Sequence, residues 1–263
     1  MKFRAHFYLI AFFLLPALAG CIAVGNPVRG SGDITTRTYD VRDFNRVTLE
    51  GIGDVYITQG NTESLSVETD ENIFQYLEIR VSGNDLILGT KPIVNLIPSV
   101  SIIFRLTVKD LNGITLAGSG SIYSDPLQTS GMQVTVAGSG KIEVKGLSGT
   151  DLSVNLPGSG SITIKQIAVP TIDTSVNGSG NITLDGQADK QTINVNGSGK
   201  YVADNLETTS ARIAIAGSGH VTLWVKDQLD ISVNGSGDVA YYGRPAINQS
   251  GNGSGKVSSL GEK

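Results

Sequence analysis

The chain of 263 residues has 33 glycines, 20 basic and 24 acidic side chains, and a formal net charge of -4. This acidic balance argues against nucleic acid or an anionic lipid surface as a partner. One cysteine and two histidines offer few metal ligands or catalytic bases, and a single cysteine excludes an intramolecular disulfide. We therefore expect no cofactor, no metal ion and no catalytic residue.

The start of the chain predicts a secretory signal peptide over residues 1–20. Lys2 and Arg4 precede an apolar run at residues 7–18, which is too short to span a bilayer comfortably, and small residues follow it. The segment "LAGC" then resembles the bacterial lipobox, whose cysteine is acylated and becomes the first mature residue. An ordinary signal peptide followed by an unrelated cysteine is the alternative.

We expect Cys21 to carry the lipid anchor and residues 21–38 to tether it to the folded domain. Each buried CH2 of an acyl chain contributes about 0.8 kcal/mol, so several chains would hold the protein at a membrane without a transmembrane helix. Ile22, rather than Asp, follows the cysteine and resembles the sorting pattern for the outer membrane. The predicted location is therefore the cell envelope, on the periplasmic or the outer side of the outer membrane.

A Gly-Ser-Gly triplet recurs at nearly constant spacing along the chain. The triplets begin at Gly118, Gly138, Gly158, Gly178, Gly197, Gly217, Gly235 and Gly253. An earlier Gly51-Ile52-Gly53 fits the same frame. A β-rich unit repeated at a period of about 20 residues is typical of a solenoid, in which each turn buries its apolar edge on its neighbours.

The residues around each triplet alternate between apolar and polar, which predicts two short half-buried strands per repeat. Two places before the first glycine stand Leu49, Leu116, Val136, Leu156, Val176, Val195, Ile215 and Val233. Four places after it stand Val55, Ile122, Ile142, Ile162, Ile182, Tyr201, Val221, Val239 and Val257. We expect both columns to be buried in an all-β, single-stranded, right-handed β-helix.

The glycines are predicted to form a corner at the same place in every turn. We expect glycine there because such a corner requires a positive φ and almost no side-chain volume. The serines would form a hydroxyl ladder along this edge, and Asn177, Asn196, Asn234 and Asn252 a partial amide ladder. A meander of antiparallel hairpins is the alternative topology, since Asn-Gly is a strong hairpin signal. Hairpins, however, do not require the same residue type at the same place in every second strand.

Residues 39–257 are predicted to form one β-solenoid domain, followed by a C-terminal tail at residues 258–263. The repeat is interrupted at residues 58–112, which predict an irregular cap. This cap contains a strand, one helical turn around residues 72–76, a hairpin at residues 82–85 and a further apolar strand. Solenoids need such an atypical unit to cover the open end of the core.

Three stretches resemble the head GIN domain family of auto-transporter adhesins. They are "FNRVTLEGIGDVYITQG", "VSGNDLILGT" and the run of "GSG" corners, and together they cover roughly residues 39–257. The resemblance implies a single-stranded β-helix with an adhesin-like role in a secreted or lipid-anchored bacterial protein. It implies no catalytic residues.

Two kinds of chemistry were weighed against this interpretation. Three corners continue as Gly-Ser-Gly-Lys, but a phosphate-binding Walker loop needs four residues between its glycines and a helix after them. A polysaccharide-acting β-helix enzyme is the alternative function, with Asp185 and Asp204 in one outward column above Lys145 and Lys165. A solvated charged face is the other interpretation of these residues. Short, even turns without a long inserted loop build no catalytic cleft.

The same outward column continues to Trp224 and Tyr242, which should lie side by side on adjacent turns. Large exposed aromatic side chains are common in contacts with partners and sugars. We expect these two to contact a glycan, a cell-envelope protein or a second copy of the chain. In the alternative interpretation, the tail ending in "GEK" folds back and covers them. The sequence thus favours a lipid-anchored structural or adhesive binding module without catalysis.

Replacing Cys21→Ser is expected to release the protein from the membrane fraction, because the sequence offers no other anchor beyond the signal peptide. Fractionation of cells that express the parent and the variant measures this. If the variant remains in the membrane pellet as fully as the parent, the lipoprotein interpretation is wrong.

Overall fold

The computed structural model describes residues 27–92 and 94–263. Over these residues the chain is nearly all β and forms a β-solenoid of about 7 turns, with coils about 20 residues apart. The predicted fold class is therefore confirmed. The predicted signal peptide and Cys21 lie outside the described residues. Within the described ranges, no helix is long and apolar enough to cross a membrane.

The first part of the described chain combines solenoid strands with the strands of a cap. These strands are β1 (Val28–Arg29), β2 (Ile34–Tyr39), β3 (Arg46–Glu50), β4 (Asp54–Gln59), β5 (Ser64–Asp70), β6 (Leu77–Ser82), β7 (Asp85–Thr90), β8 (Leu96–Ile97) and β9 (Ile103–Val108). A 3-10 helix, Glu71–Tyr76, joins β5 to β6.

The rest of the chain coils regularly. Its strands are β10 (Gly113–Leu116), β11 (Ser121–Ser124), β12 (Leu127–Thr129), β13 (Met132–Val136), β14 (Lys141–Val144), β15 (Leu147–Gly149), β16 (Asp151–Leu156), β17 (Ser161–Val176), β18 (Asn181–Val195), β19 (Lys200–Ile215), β20 (His220–Val233), β21 (Asp238–Tyr242), β22 (Ala246–Ser250) and β23 (Val257–Ser259). From β17 to β20, one long strand follows most of a turn.

Successive turns pair in parallel and in the register that the sequence predicts. After the corner, Val55 pairs with Ile122, and the pairing continues through Ile142 and the rest of that column to Val257. Nearly all residues of both columns are fully buried, and together they line one continuous core. Burying each such side chain contributes about 1.5–3 kcal/mol, so the stacked columns are the main favourable term of the fold. The antiparallel meander is excluded.

Strands pair in three columns, which gives the coil three faces. One face precedes the corner and contains β3, β10, β13 and β16; another follows it and contains β4, β11 and β14. The third face begins with β12 and β15 and continues through the middle of β17 to β20. The pairings from β17 to β20 each contain a register shift. These shifts lie either within the third-face segment or at the bends that flank it.

The predicted cap closes the N-terminal end of the core with antiparallel strands. β2 pairs with β5, β5 with β9 and β6 with β7, and the β6–β7 turn is the predicted hairpin. The turn formed by β3 and β4 is stacked between β7 and β9 on one side and β10 and β11 on the other. Because β2 is paired, the folded chain begins before residue 39, within the segment expected to be tether. At the opposite end, every residue of β22 is exposed.

The Gly-Ser-Gly corners require glycine for one of the two expected reasons, the lack of side-chain volume, and not for the other, a positive φ. Positive φ values occur at Gly51 and Gly53 of the first copy, but at no glycine of the eight Gly-Ser-Gly triplets. These glycines instead lie against the backbone of the preceding turn. A Cβ at Gly158 would lie 2.3 Å from the carbonyl oxygen of Gly138, which accepts hydrogen bonds from the N–H groups of Ser159 and Gly160. Close approach, rather than backbone conformation, excludes side chains here.

The expected side-chain ladders form only in part. Among the described residues, one hydroxyl contact joins corner serines of successive turns, from Ser254 to Ser236 at 3.2 Å. One amide contact joins Asn196 to Asn177 at 2.9 Å. The corner serines are exposed, and their backbone N–H groups make most of the contacts between turns.

A buried carboxylate fastens the N-terminal segment to the cap. Asp70 is fully buried and accepts hydrogen bonds from the N–H groups of Gly32 and Ser99, each at 2.8 Å, and from the Ser99 hydroxyl at 2.5 Å. Burial alone would raise the pKa of Asp70, but these hydrogen bonds outweigh it and hold the pKa below its usual value. The ionised carboxylate is therefore part of the folded structure.

Gly178→Ala is expected to destabilise the coil far more than Ser179→Ala. A Cβ at Gly178 would lie 1.9 Å from the carbonyl oxygen of Gly158, and such overpacking costs about 1–3 kcal/mol or more. The Ser179 side chain is exposed, and its loss removes at most about 1 kcal/mol. Thermal unfolding measures both. Gly83, which has a φ of 59° and nothing within 4 Å of its Cβ position, is the control and should accept Asn. Equal shifts in unfolding temperature for Gly178→Ala and Ser179→Ala would contradict the close-approach explanation.

Asp70→Asn is expected to lower the unfolding temperature at neutral pH and to weaken its dependence on acid. A carboxylate whose folded pKa is depressed stabilises the fold above its unfolded pKa, about 4, and loses this contribution as pH falls through the folded pKa. Unfolding temperatures between pH 7 and pH 2 measure the effect, with the exposed Asp33→Asn as control. Parallel curves for the parent and Asp70→Asn would contradict the assigned role.

Candidate binding surface

Trp224 and Tyr242 lie opposite each other on β20 and β21, as the sequence predicts. Trp224 faces outward because its neighbours Leu223 and Val225 are both fully buried. Both aromatic side chains are half-buried rather than fully exposed. They therefore form a partly covered aromatic pair near the C-terminal end of the coil.

A change in turn length brings Trp224 to this position. The step from Gly197 to Gly217 is 20 residues, whereas the step from Gly217 to Gly235 is 18. The register accordingly shifts on the third face, where Ala203 pairs with Leu223 but Glu207 pairs with Trp224. Residues 204–206 form a bulge in β19 as a result, in which Leu206 stays in the core and residues 204 and 205 lie beside the aromatic pair.

A buried polar chain holds the backbone of Trp224. The hydroxyl of Tyr201 donates to Gln191 at 2.6 Å, the Gln191 amide donates to Thr208 at 3.0 Å, and the Thr208 hydroxyl donates to the carbonyl oxygen of Trp224 at 2.8 Å. Burial raises the pKa of Tyr201, so its phenol stays protonated. Satisfied buried networks of this kind make a core rigid.

The C-terminal tail folds back onto the aromatic pair. The N–H of Leu260 donates to Tyr241, and the N–H of Gly243 donates to Gly261, at 2.8 and 2.9 Å. The Lys263 ammonium then lies 5.8 Å from the ring centroid of Trp224 and 5.0 Å from that of Tyr242. The alternative weighed from the sequence, in which the tail covers these residues, therefore describes this structure.

Oxygen atoms of the bulge complete the surroundings of this ammonium. Lys263 donates to Asn205 Oδ1 at 2.6 Å and to the carbonyl oxygen of Asp204. The carboxylate of Asp204 lies 4.0 Å away. The ammonium is thus enclosed by two aromatic rings and by acceptor oxygens.

The charged column on which the alternative, polysaccharide-acting function would depend is not continuous. Asp185 pairs with Asn205 rather than Asp204, because of the shifted register. Lys145 forms an ion pair with Asp125 at 2.9 Å, and this contact lowers the pKa of Asp125. The unequal steps between the corner glycines are visible in the sequence, but the sequence does not show at which residues of a turn the register shifts.

A second aromatic pair on the outer surface was not singled out from the sequence. The rings of Tyr56 and Tyr123 stack at 5.1 Å with an interplanar angle of 15°. Arg105 lies 5.8 Å from the Tyr56 ring and Lys141 lies 4.9 Å from the Tyr123 ring, one on each side of the stack. The signal was available, since both tyrosines stand five places after the first glycine of consecutive copies. A cation contacts one ring face of each tyrosine, and Tyr56 is 42% exposed.

Outside the aromatic pair, the described residues provide neither a set of metal ligands nor an enclosed cavity. In residues 27–92 and 94–263, no group of three or more His, Cys, Asp or Glu side chains could hold a metal ion. A shallow groove of about 510 Å³ on the third face is lined largely by polar residues, among them Gln59, Lys109, Gln128 and Gln166. A smaller groove of about 320 Å³, lined in part by Asp189 and Glu207, lies next to the aromatic pair.

Comparison with known proteins agrees with this architecture. The family model described as "Putative auto-transporter adhesin, head GIN domain" matches residues 43–166 and 132–245. Among solved structures, a "putative lipid binding protein" from Parabacteroides distasonis is 32% identical, with a TM-score of 0.85 over 89% of this chain and 100% of that chain. No curated protein matches the chain.

Two further solved structures share the fold. A "putative adhesin" from Parabacteroides merdae is 22% identical, with a TM-score of 0.81 over 89% of this chain and 98% of that chain. Another from Parabacteroides distasonis is 22% identical, with a TM-score of 0.80 over 89% of this chain and 100% of that chain. At this identity the similarity is evidence for the fold alone.

Proposed function

Because the chain belongs to the auto-transporter adhesin head GIN domain family, we propose that it is an adhesive or binding module of the bacterial cell envelope. In this proposal Cys21 carries a lipid anchor in the outer membrane, and the module has no catalytic activity. The contact surface is the aromatic pair of Trp224 and Tyr242 with the residues around it.

The position of this pair relative to the anchor carries the proposal. The chain enters the fold through β1 and β2 at the capped end, whereas β20 and β21 belong to the last turns. Parallel strands stack about 4.8 Å apart, so the seven steps from β9 to β20 separate the pair from the cap by roughly 30 Å. A rigid coil held by lipid at one end would present its other end away from the membrane.

Two other functions receive less support from the described residues. An enzyme that acts on polysaccharides would need converging carboxylates in a cleft, whereas Asp185 and Asp204 do not pair and the turns are short. The name of the 32% identical relative refers to lipid binding, but the groove of about 510 Å³ on this chain is lined largely by polar residues. A lipid tail would find little apolar surface there.

The proposal predicts that binding to envelope material depends on the aromatic pair. The parent, Trp224→Ala/Tyr242→Ala and the control Tyr56→Ala would each be immobilised and incubated with isolated envelope polysaccharide and with purified envelope proteins. Retention on the parent and on Tyr56→Ala, with a loss of about tenfold or more for the double variant, is expected for truncation of a central aromatic contact.

Equal retention on the parent and the double variant would contradict the assigned surface. New reducing ends released from the polysaccharide, and lost in Asp185→Asn or Asp204→Asn, would contradict the non-catalytic role. Thermal unfolding of each variant verifies that a loss of retention does not reflect a loss of the fold.

A further inference from the structure

We propose that the cleft between Trp224, Tyr242 and residues 204–205 is an ammonium-binding site, filled in the free protein by Lys263. Its ligand would be an exposed lysine side chain of a partner protein, which displaces the tail. This inference rests on the proposed function, because it assigns a ligand class to the same surface.

The contacts of Lys263 already describe such a site. An ammonium group has three donors and no acceptor, and here Asn205 Oδ1 and the carbonyl oxygen of Asp204 accept two of its hydrogen bonds. The aromatic rings of Trp224 and Tyr242 lie within 6 Å of the same nitrogen, the range over which a ring face attracts a cation. Proteins that recognise ammonium ligands such as choline or methyl-lysine likewise surround the cation with aromatic rings.

A cation fits this cleft better than a neutral sugar does. The oxygens that contact the site are a carbonyl, an amide oxygen and, at 4.0 Å, the carboxylate of Asp204, all of which accept hydrogen bonds. An ammonium group only donates and so matches these three oxygens, whereas a sugar hydroxyl both donates and accepts. Glu207, which pairs with Trp224 and lines the neighbouring groove of about 320 Å³ together with Asp189, adds negative charge, although Lys226 offsets part of it at 2.8 Å.

The tail is attached weakly enough to be displaced. Gly261 and Glu262 are exposed, the Lys263 side chain is 29% exposed, and the ion pair between Arg244 and Glu262 joins side chains that are 81% and 59% exposed. Exposed pairs of this kind contribute little to stability. Because Lys263 is tethered to the fold, it competes for the cleft at an effective concentration in the millimolar range. A partner held at the same membrane surface is also locally concentrated, so its lysine could replace Lys263.

The test titrates the full mature chain in detergent with n-butylammonium and follows the fluorescence of Trp224, the single tryptophan. Lys263→Met removes the competing ammonium, and Lys256→Met is the matched control for loss of a tail lysine. We expect Lys263→Met to respond saturably at concentrations at least about tenfold lower than the parent and Lys256→Met, since the internal competitor is absent. In the Lys263→Met background, Tyr242→Leu and Asn205→Ala should each weaken the response at least about fivefold, and n-butanol should give none.

Three outcomes would overturn the inference. They are equal titrations for Lys263→Met and the parent, equal responses to n-butanol and n-butylammonium, and saturation by cellobiose instead of the amine. Thermal unfolding is measured for each variant, and Asn205→Ala serves if Tyr242→Leu does not fold. The two proposals can fail separately. If Trp224→Ala/Tyr242→Ala no longer binds envelope material while no variant responds to the amine, the ammonium ligand class is refuted but the proposed binding surface still stands.

Discussion

The contact between each Gly-Ser-Gly corner and the backbone of the turn below determines the rest of the architecture. The carbonyl oxygen of Gly138 occupies the space that a Cβ of Gly158 would need, and the same contact recurs at each later corner. This fixes the register of the strands on both sides of the corner, so their apolar columns stay aligned. Because the corners stay in register, a longer or shorter turn must shift its register at some other place. In β17 to β20 these register shifts occur at and around the third face. The bulge beside Trp224 is one result.

Much of the solenoid could be predicted because the signals that form it are periodic. The buried columns that contain Val176 and Ile182 and the parallel register follow from patterns of two residues or of about twenty. The helical turn and the hairpin of the cap were indicated by local sequence, such as the turn residues at 82–85. The pairing of Trp224 with Tyr242 followed from the same frame. Such features depend on local alternation and on exact repetition, which a single sequence displays.

The remaining features depend on contacts that the sequence does not display. The sequence does not distinguish a glycine with a positive φ, such as Gly53, from a glycine that is needed only for close approach, such as Gly158. The two roles are told apart by the backbone geometry. Counting from the corner placed Asp204 in one column with Trp224, but the shortened turn pairs Trp224 with Glu207. The position of Lys263 over both rings combines an end-of-chain residue with a bulge, and neither carries a periodic signal.

The stacking order of the first turns also bears on the folding pathway. The turn made by β3 and β4 lies between turns that come later in the chain, so β3 has no neighbouring strand until β7 is available, and β4 has none until β9 is available. The cap and this turn must therefore form together through contacts that are distant in sequence, which is slow in comparison with local pairing. Each turn after β11 instead finds its template already in place and can add by nearest-neighbour propagation. The rate-limiting nucleus thus lies in the first half of the sequence, and the part that carries Trp224 orders last.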